Sequence, residues 1–249
     1  MKNGFIFNKQ LLLFNDNESK KNNIIGYRRG VNSVKYINRK TANDIIKQNH
    51  YSGTYVNNSI DHFGYFIGDK LLGVLQFGHM LNPAAYNTYI PSTSGISEYR
   101  ELNRMFLFDE APRNSESQAI SFCIKVLKQK YRIKWVQSFA DERCGKLGIV
   151  YQAANFHFFG SHINEFYVYQ NRAYHKIMYT SKKHIKHVES RHGESIEIIK
   201  SKSVKHALRQ FRYIYFIDKR LINDCILTAK PYPKHYNEDQ NPRALHSST

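Results

Sequence analysis

The spacing of apolar and polar residues along the chain predicts a short series of helices and strands. From Arg39 to Asn49, Ile45 and Ile46 face inward among polar neighbours, and the pattern predicts a helix that Thr41 can cap. It stops at His50-Tyr51-Ser52-Gly53, where Gly53 supplies the break. Phe63 to Ile67 and Leu71 to Phe77 read as strands on either side of Gly68-Asp69-Lys70, a tight hairpin turn. Residues 78–97 hold Pro83, Pro91 and several Ser, Thr and Gly, and predict a long loop. Compact domains keep loops of that length mainly for function or mobility. Glu98 to Phe108 returns as a strand with partial alternation.

Pro112 breaks the chain within Asp109 to Asn114. Beyond it Ile120, Ile124 and Leu127 recur at helical spacing and predict a helix from Ser115 to Lys130. Lys134 to Phe139 reads as a buried strand and Gly145 to Ala154 as a short helix. Phe156 to Gly160 and Phe166 to Tyr169 read as late strands. Residues 1–30 are polar, rich in Asn and Lys between Asn15 and Asn23, and predict a short strand and a loose loop. After residue 180 the composition shifts: Lys182 to Lys205 is crowded with His, Lys, Ser and Glu. Phe211 to Phe216 then reads as a core strand with one aromatic face, and the last dozen residues as disordered. The sum is an α/β fold, a mixed central sheet flanked by helices of the acyltransferase-like kind.

Charge narrows the function. The chain of 249 residues has 37 Lys and Arg against 20 Asp and Glu, a formal net charge of +17. A single-sign field of that size steers a polyanion to the surface. From residue 170 onward, 16 Lys or Arg face 7 Asp or Glu, a net +9, so about half of the charge lies in a third of the chain. No basic helix with a wide apolar face stands out, which favours DNA or RNA over a membrane. Arg209, Arg212, Lys219 and Arg220 are the candidates for phosphate contacts.

Other classes are excluded. No run of about 18 apolar residues exists to span a bilayer. Met1 to Phe14 lacks the apolar centre and small-residue cleavage site of a signal peptide. The cysteines, Cys123, Cys144 and Cys225, are odd in number and form no Cys-x-x-Cys pair, which points to a reducing compartment without a zinc ribbon. The expected location is the cytoplasm. With 18 Tyr and 16 Phe, a sizeable core needs neither disulfides nor metals.

The block from Glu101 to Gly160 holds most of the candidate chemistry. Asp141 stands just past the carboxyl end of a buried strand, where open α/β sheets bind ligands. It reads as a general base, a metal ligand, or an N-cap for the helix that follows. Arg113-Asn114-Ser115-Glu116-Ser117 opens a helix, where backbone N–H groups and the dipole favour an anion and Arg113 adds charge for a phosphate. The plainer reading is a capping box, with Ser115 as N-cap and Gln118 reaching back. Arg104 lies in an apolar strand and needs a partner, and Glu101, three residues away, falls on the opposite face of a regular strand. His50 and Tyr51 end a helix with polar tips that can face a pocket.

These stretches resemble the Mom family of DNA-modification proteins, known mainly from bacteriophages. The resemblance rests on His50-Tyr51-Ser52, Glu101-Leu102-Asn103-Arg104, Arg113-Asn114-Ser115-Glu116-Ser117, Ser138-Phe139-Ala140-Asp141 and Tyr151-Gln152-Ala153-Ala154-Asn155-Phe156. Tyr213-Ile214-Tyr215-Phe216 and Pro231-Tyr232-Pro233-Lys234 extend it, so that it covers residues 40 to 235. It implies a fold related to the GNAT acyltransferases, and with the shift in composition after residue 180 the expectation is a GNAT-like catalytic domain over residues 1–180 and a basic C-terminal extension over residues 181–249 packed on or beside it. It implies a transferase that converts adenine in DNA to an N6-carbamoylmethyl form and hides phage DNA from restriction enzymes. The family is linked to an acetyl-CoA-type donor and to iron. By motif, its implicated residues fall on Tyr51, Arg104, Asp141 and Tyr151, with His50 adjacent; His50 and Asp141 would serve a metal. The donor would lie against Arg113, Asn114, Ser115 and Ser117.

The partner expected is DNA, and a homodimer is compatible with the chain. Asp109 to Ser115 carries no Arg-x-x-Gly-x-Gly phosphate loop, which with the charge counts against an ordinary GNAT N-acetyltransferase. A non-catalytic DNA-binding protein is the other alternative.

Overall fold

The helices and strands expected between residues 39 and 139 form close to where the pattern puts them. The computed structural model describes residues 12–13, 25–80, 83–142 and 147–234. In chain order the elements are β1 (Leu12–Leu13), β2 (Ile25–Arg29), β3 (Asn32–Tyr36), α1 (Arg39–Asn49), β4 (Ser59–Ile67), β5 (Lys70–Gly78), β6 (Tyr99–Leu107), α2 (Ser115–Tyr131) and β7 (Trp135–Asp141). Then follow α3 (Ile149–Ala153), β8 (His157–Tyr169), β9 (Arg172–His175), α4 (Ile177–Thr180), α5 (Lys182–His192), α6 (Ile196–Lys202) and β10 (Val204–Phe216). This is the mixed sheet flanked by helices that the sequence pattern implies. Among the described residues, no helix is long and apolar enough to cross a membrane.

The chain divides into two compact units. The first comprises Met1–Ser138, Val150–His157 and Tyr213–Thr228; the second comprises Phe139–Ile149, Phe158–Arg212 and Ala229–Thr249.

In the first unit the strands run in the order β1 to β7, followed by the end of β10. Neighbours from β1 to β6 are antiparallel, while β6 and β7 are parallel because α2 carries the chain back across the sheet. Gly68 adopts φ +58° in the turn between β4 and β5, the left-handed conformation a tight hairpin needs. The sheet is covered on both faces, so β4 and β5 are buried along most of their length rather than alternately. On one face Ala42 and Ile46 of α1 pack on Val74 and Phe106. On the other, Tyr65 directs its hydroxyl to Gln118 of α2 at 2.6 Å, and Tyr27 meets Phe122 with ring centroids 4.8 Å apart. Each fully buried side chain of this kind contributes about 1.5–3 kcal/mol of transfer free energy.

Trp135, the only tryptophan of the chain, anchors the start of β7. It is fully buried, stacks on Tyr99 at 5.0 Å and donates Nε1–H to the Thr93 hydroxyl at 3.0 Å. One buried ion pair lies nearby, where Arg100 Nε meets Asp61 at 2.8 Å with both side chains almost wholly out of solvent. Tyr36 adds a hydroxyl to the same carboxylate at 2.9 Å. Burial and the Asp61 charge push the Tyr36 phenol far above its ordinary value.

The second unit orders its strands β10, β8, β9. Its core gathers Tyr169, Tyr174, Tyr179, Val188, Ile196 and Ile199 beneath α5 and α6. The two late strands expected from the pattern form one long strand, β8, which absorbs Gly160 at φ +87°. Glu165 on β8 is clamped by Lys176 at 2.5 Å and by Lys205 of β10. These partners hold its carboxyl down at about 2. The stretch after residue 180 thus supplies α5, α6 and β10 as regular structure.

Candidate active site

α1 is capped by Asn38, whose side chain accepts the Lys40 amide at 2.7 Å, rather than by Thr41. The helix ends at His50, whose extended backbone turns the chain away. His50 Nδ1 lies 2.8 Å from the Ser52 hydroxyl and 3.2 Å from the Ser52 amide, so the ring is held at the helix end. The Ser52 hydroxyl in turn donates to the Thr54 carbonyl at 3.1 Å. That carbonyl also accepts from Arg104 Nε at 2.9 Å, and Arg104 Nη1 donates to the Asn103 carbonyl at 2.7 Å. The half-buried guanidinium of β6 is therefore satisfied by backbone oxygens, which resolves the cost of a cation in an apolar strand. Tyr51 is 56 % exposed, and its ring lies 4.2 Å from that of His50. His50, Tyr51 and Arg104, separated in sequence, meet in one network.

A second polar cluster lies beside it. Gln137 Nε2 donates to one oxygen of Glu101 at 2.7 Å and Asn103 Nδ2 to the other at 3.1 Å. The Ser59 hydroxyl donates to Asn103 Oδ1 at 2.9 Å. Asn58 Nδ2 serves the carbonyls of His79 at 2.6 Å and Met80 at 2.9 Å. β6 and β7 pair from Tyr99↔Trp135 to Glu101↔Gln137, and on the other side Glu101 stands opposite Gly78 of β5. A Cβ on Gly78 would fall 2.6 Å from Asn103 Oδ1 and 2.1 Å from the Asn58 carbonyl, so only glycine lets the Asn103 amide sit there. Burial, reinforced by the Arg100 guanidinium, pushes the His79 imidazole below its ordinary value. Sequence reasoning assigned no role to Asn58, Asn103 or Gln137. The available signal was polar residues and a glycine at the ends of otherwise apolar strands.

A cleft of about 690 Å³ opens along α2. Arg113, Asn114, Ser115 and Ser117, the residues singled out in sequence, all line it, together with Arg29, Lys125 and Lys128. No Asp or Glu is among its described lining residues. The capping box does not form. Asn114 is the N-cap, in a left-handed conformation (φ 69°) and without a side-chain cap, and Ser115 is the first helical residue. Gln118 Oε1 accepts from Tyr65 and, at 2.7 Å, from Asn32 Nδ2 instead of reaching back. The first turn therefore keeps its positive end without a capping side chain of its own. Lys125 stands 4.3 Å over the Tyr27 ring and donates to its hydroxyl at 2.9 Å.

The remaining candidates are dispersed. Tyr151 of α3 is half-buried, its ring 5.4 Å from Tyr213 and 5.6 Å from Phe156. Asp141 is the last residue of β7, is 5 % exposed and belongs to the second compact unit. Arg143, Cys144, Gly145 and Lys146 lie outside the described residues. Arg212 stacks over Phe139 at 5.3 Å and Arg209 is half-buried on β10. Lys219 stands 4.9 Å over Tyr215, and Arg220 forms a two-pronged pair with Asp218 at 3.0 and 2.8 Å. The described residues contain no group of three or more His, Cys, Asp and Glu arranged to hold a metal, so among them no set of side chains fits a resident iron.

A mixed sheet flanked by helices, with a basic cleft along one of them, defines the general class: an α/β protein whose cleft suits an anionic ligand. Comparison narrows this to one family. The chain belongs to the Mom protein family, whose model matches residues 32–234. It is 43 % identical over 215 residues to the methylcarbamoylase Mom of Escherichia phage Mu, covering 85 % of this chain and 87 % of that protein. Among solved structures, it is similar to the ribosomal-protein-S5-alanine acetyltransferase of Vibrio fischeri, with a TM-score of 0.45 and 10 % identity over 78 % of this chain and 97 % of that one. It is also similar to NAA60 of Arabidopsis thaliana in complex with acetyl-CoA, with a TM-score of 0.45 and 11 % identity over 75 % of this chain and 99 % of that one.

Proposed function

We propose that the protein is a DNA-modifying transferase, a methylcarbamoylase that converts adenine in DNA to its N6-carbamoylmethyl form and so shields phage DNA from restriction in the host cytoplasm. The observation that carries this reading is the 43 % identity to the phage Mu methylcarbamoylase, sustained over 85 % of the chain. The net charge of +17 supports DNA as the partner.

The N6 amine of adenine is inaccessible to an enzyme while the base is stacked, so the base is flipped out or met single-stranded. Tyr51, exposed at the end of α1, offers a ring face for the displaced base. Arg104 holds the turn that carries Tyr51 and His50, and its charge suits a phosphate or the polarised group of the donor. Asp141, at the carboxyl end of β7, is the general base that takes a proton from the amine as its nitrogen bonds the CH2 carbon of the carbamoylmethyl group and the bond from that carbon to the donor breaks, the leaving group departing with the donor. Tyr151 positions the acceptor. The cleft along α2 suits the phosphates of an acetyl-CoA-type donor: Arg113 and the uncapped helix start face one anionic group, and Arg29, Lys125 and Lys128 another. Arg209, Arg212 and Lys219 provide phosphate contacts to the duplex from the basic region after residue 180, whereas Arg220 is engaged by Asp218.

Mass spectrometry of nucleosides from cells expressing the protein tests the reading. The expected result is a deoxyadenosine heavier by a carbamoylmethyl group, absent with Asp141→Ala. Unmodified DNA from cells holding folded, DNA-binding protein contradicts it.

A further inference from the structure

We propose that Glu101 selects the exocyclic amine of the target base, with Asn103 and Gln137 as its positioning residues. The inference rests on the adenine reading above and assigns the recognition to particular atoms.

An ionised carboxylate only accepts hydrogen bonds, and it offers about four acceptor sites. Asn103 Nδ2 and Gln137 Nε2 reach one oxygen each, at 3.1 and 2.7 Å, and so fix both the plane of the group and its direction. Those amides are themselves held. Asn103 Oδ1 receives the Ser59 hydroxyl, and Gly78, directly opposite Glu101, has no Cβ to displace it. The surroundings are rich in acceptors. Gln137 Oε1 and Asn58 Oδ1 are buried with no hydrogen-bond partner among the described residues, so the cluster holds more acceptors than donors. Adenine carries an amino group with two N–H donors at position 6, where guanine presents a carbonyl oxygen; thymine presents a carbonyl at the equivalent edge. Glu101 accepts from the amine of adenine, as it would from that of cytosine, and repels the carbonyl of guanine or thymine. Half-buried, it stays within reach of a base. It lies three residues before Arg104, which anchors the turn bearing Tyr51. A site built to hydrogen-bond a donor rejects analogues that lack it, because its own polar groups are left unpaired.

The test uses the full chain and oligonucleotides carrying one unpaired adenine, or at that position purine (no amine) or guanine. Binding is measured alongside nucleoside mass spectrometry of DNA from expressing cells. Wild type is expected to prefer adenine to purine about tenfold or more. Glu101→Gln and Gln137→Leu should bring that ratio near unity while leaving affinity for random DNA unchanged, and Glu101→Asp should restore part of it. A Glu101→Gln protein that keeps the preference, or modifies DNA as wild type does, overturns the role of Glu101 alone. A wild type that neither prefers adenine nor yields modified deoxyadenosine overturns the adenine reading, and this inference with it.

Discussion

Arg104 and Thr54, fifty residues apart, share a hydrogen bond of 2.9 Å through which β6 sets the position of the turn after α1. Arg104→Ala leaves the Thr54 carbonyl with Ser52 alone and loosens the loop that carries His50 and Tyr51. The expected outcome is a fall of about tenfold to a hundredfold in modified deoxyadenosine, with a stability loss of about 1–3 kcal/mol in urea denaturation. Arg104→Lys does not rescue it, because an ammonium cannot serve the Thr54 and Asn103 carbonyls in one fixed fork. Wild-type modification levels in the lysine variant contradict the assignment.

Charge reversal in the α2 cleft tests the donor site. Arg29→Glu combined with Lys125→Glu places acids where the described lining has none. Binding of acetyl-CoA, followed by calorimetry, is expected to weaken by about tenfold or more, with a steeper loss at low salt. Binding that ignores both the substitutions and the salt rules out an anion-reading role for these residues.

Lys219 and Arg220 are adjacent but differ in partner. Arg220 is already matched to Asp218, whereas Lys219 rests on the Tyr215 ring. Lys219→Ala is expected to lower the slope of log affinity for duplex DNA against log salt by about one, while Arg220→Ala changes it little. Filter binding across a salt series reads both. Equal slopes for the two variants mean that Asp218 does not hold its neighbour back.

Acid is expected to destabilise the fold first through histidine. Burial pushes the imidazoles of His62, His79, His157, His162 and His175 below the ordinary 6.5, helped at His62 by Arg39 and at His162 by Arg212. Below pH 6.5 the unfolded chain then binds more protons than the folded one, so stability falls as the pH drops toward the lowered values. The carboxyls of Glu165 and Asp218, held at about 2, lose their contribution only in stronger acid. The urea midpoint should be highest above pH 6.5, and His62→Asn should flatten part of the decline. A midpoint that rises on acidification contradicts the account.

Much of the first unit was legible because its periodic stretches are long and its turns carry the right residues. α1, the hairpin around Gly68 and α2 all fall within a few residues of expectation. The misreadings were local rules overruled by distant partners. Ser115 and Gln118 spell a capping box, yet Gln118 serves Tyr65 and Asn32, 53 and 86 residues away. The break that Gly160 suggests is taken up within one strand, β8. In the site, Arg113 to Ser117 was readable as one contiguous motif. The partners of Glu101 were not, since they depend on the register of β5, β6 and β7, which no short stretch of sequence encodes.

The burial of Trp135 gives the protein an optical label of its own. With one tryptophan in the chain, excitation at the red edge of the absorption band reports a single place, the start of β7, two residues before Gln137. Its stacking on Tyr99 and its bond to Thr93 tie the emission to the junction of β6 and β7. A base settling against Glu101 can therefore be followed by a change in that light, without attaching a dye.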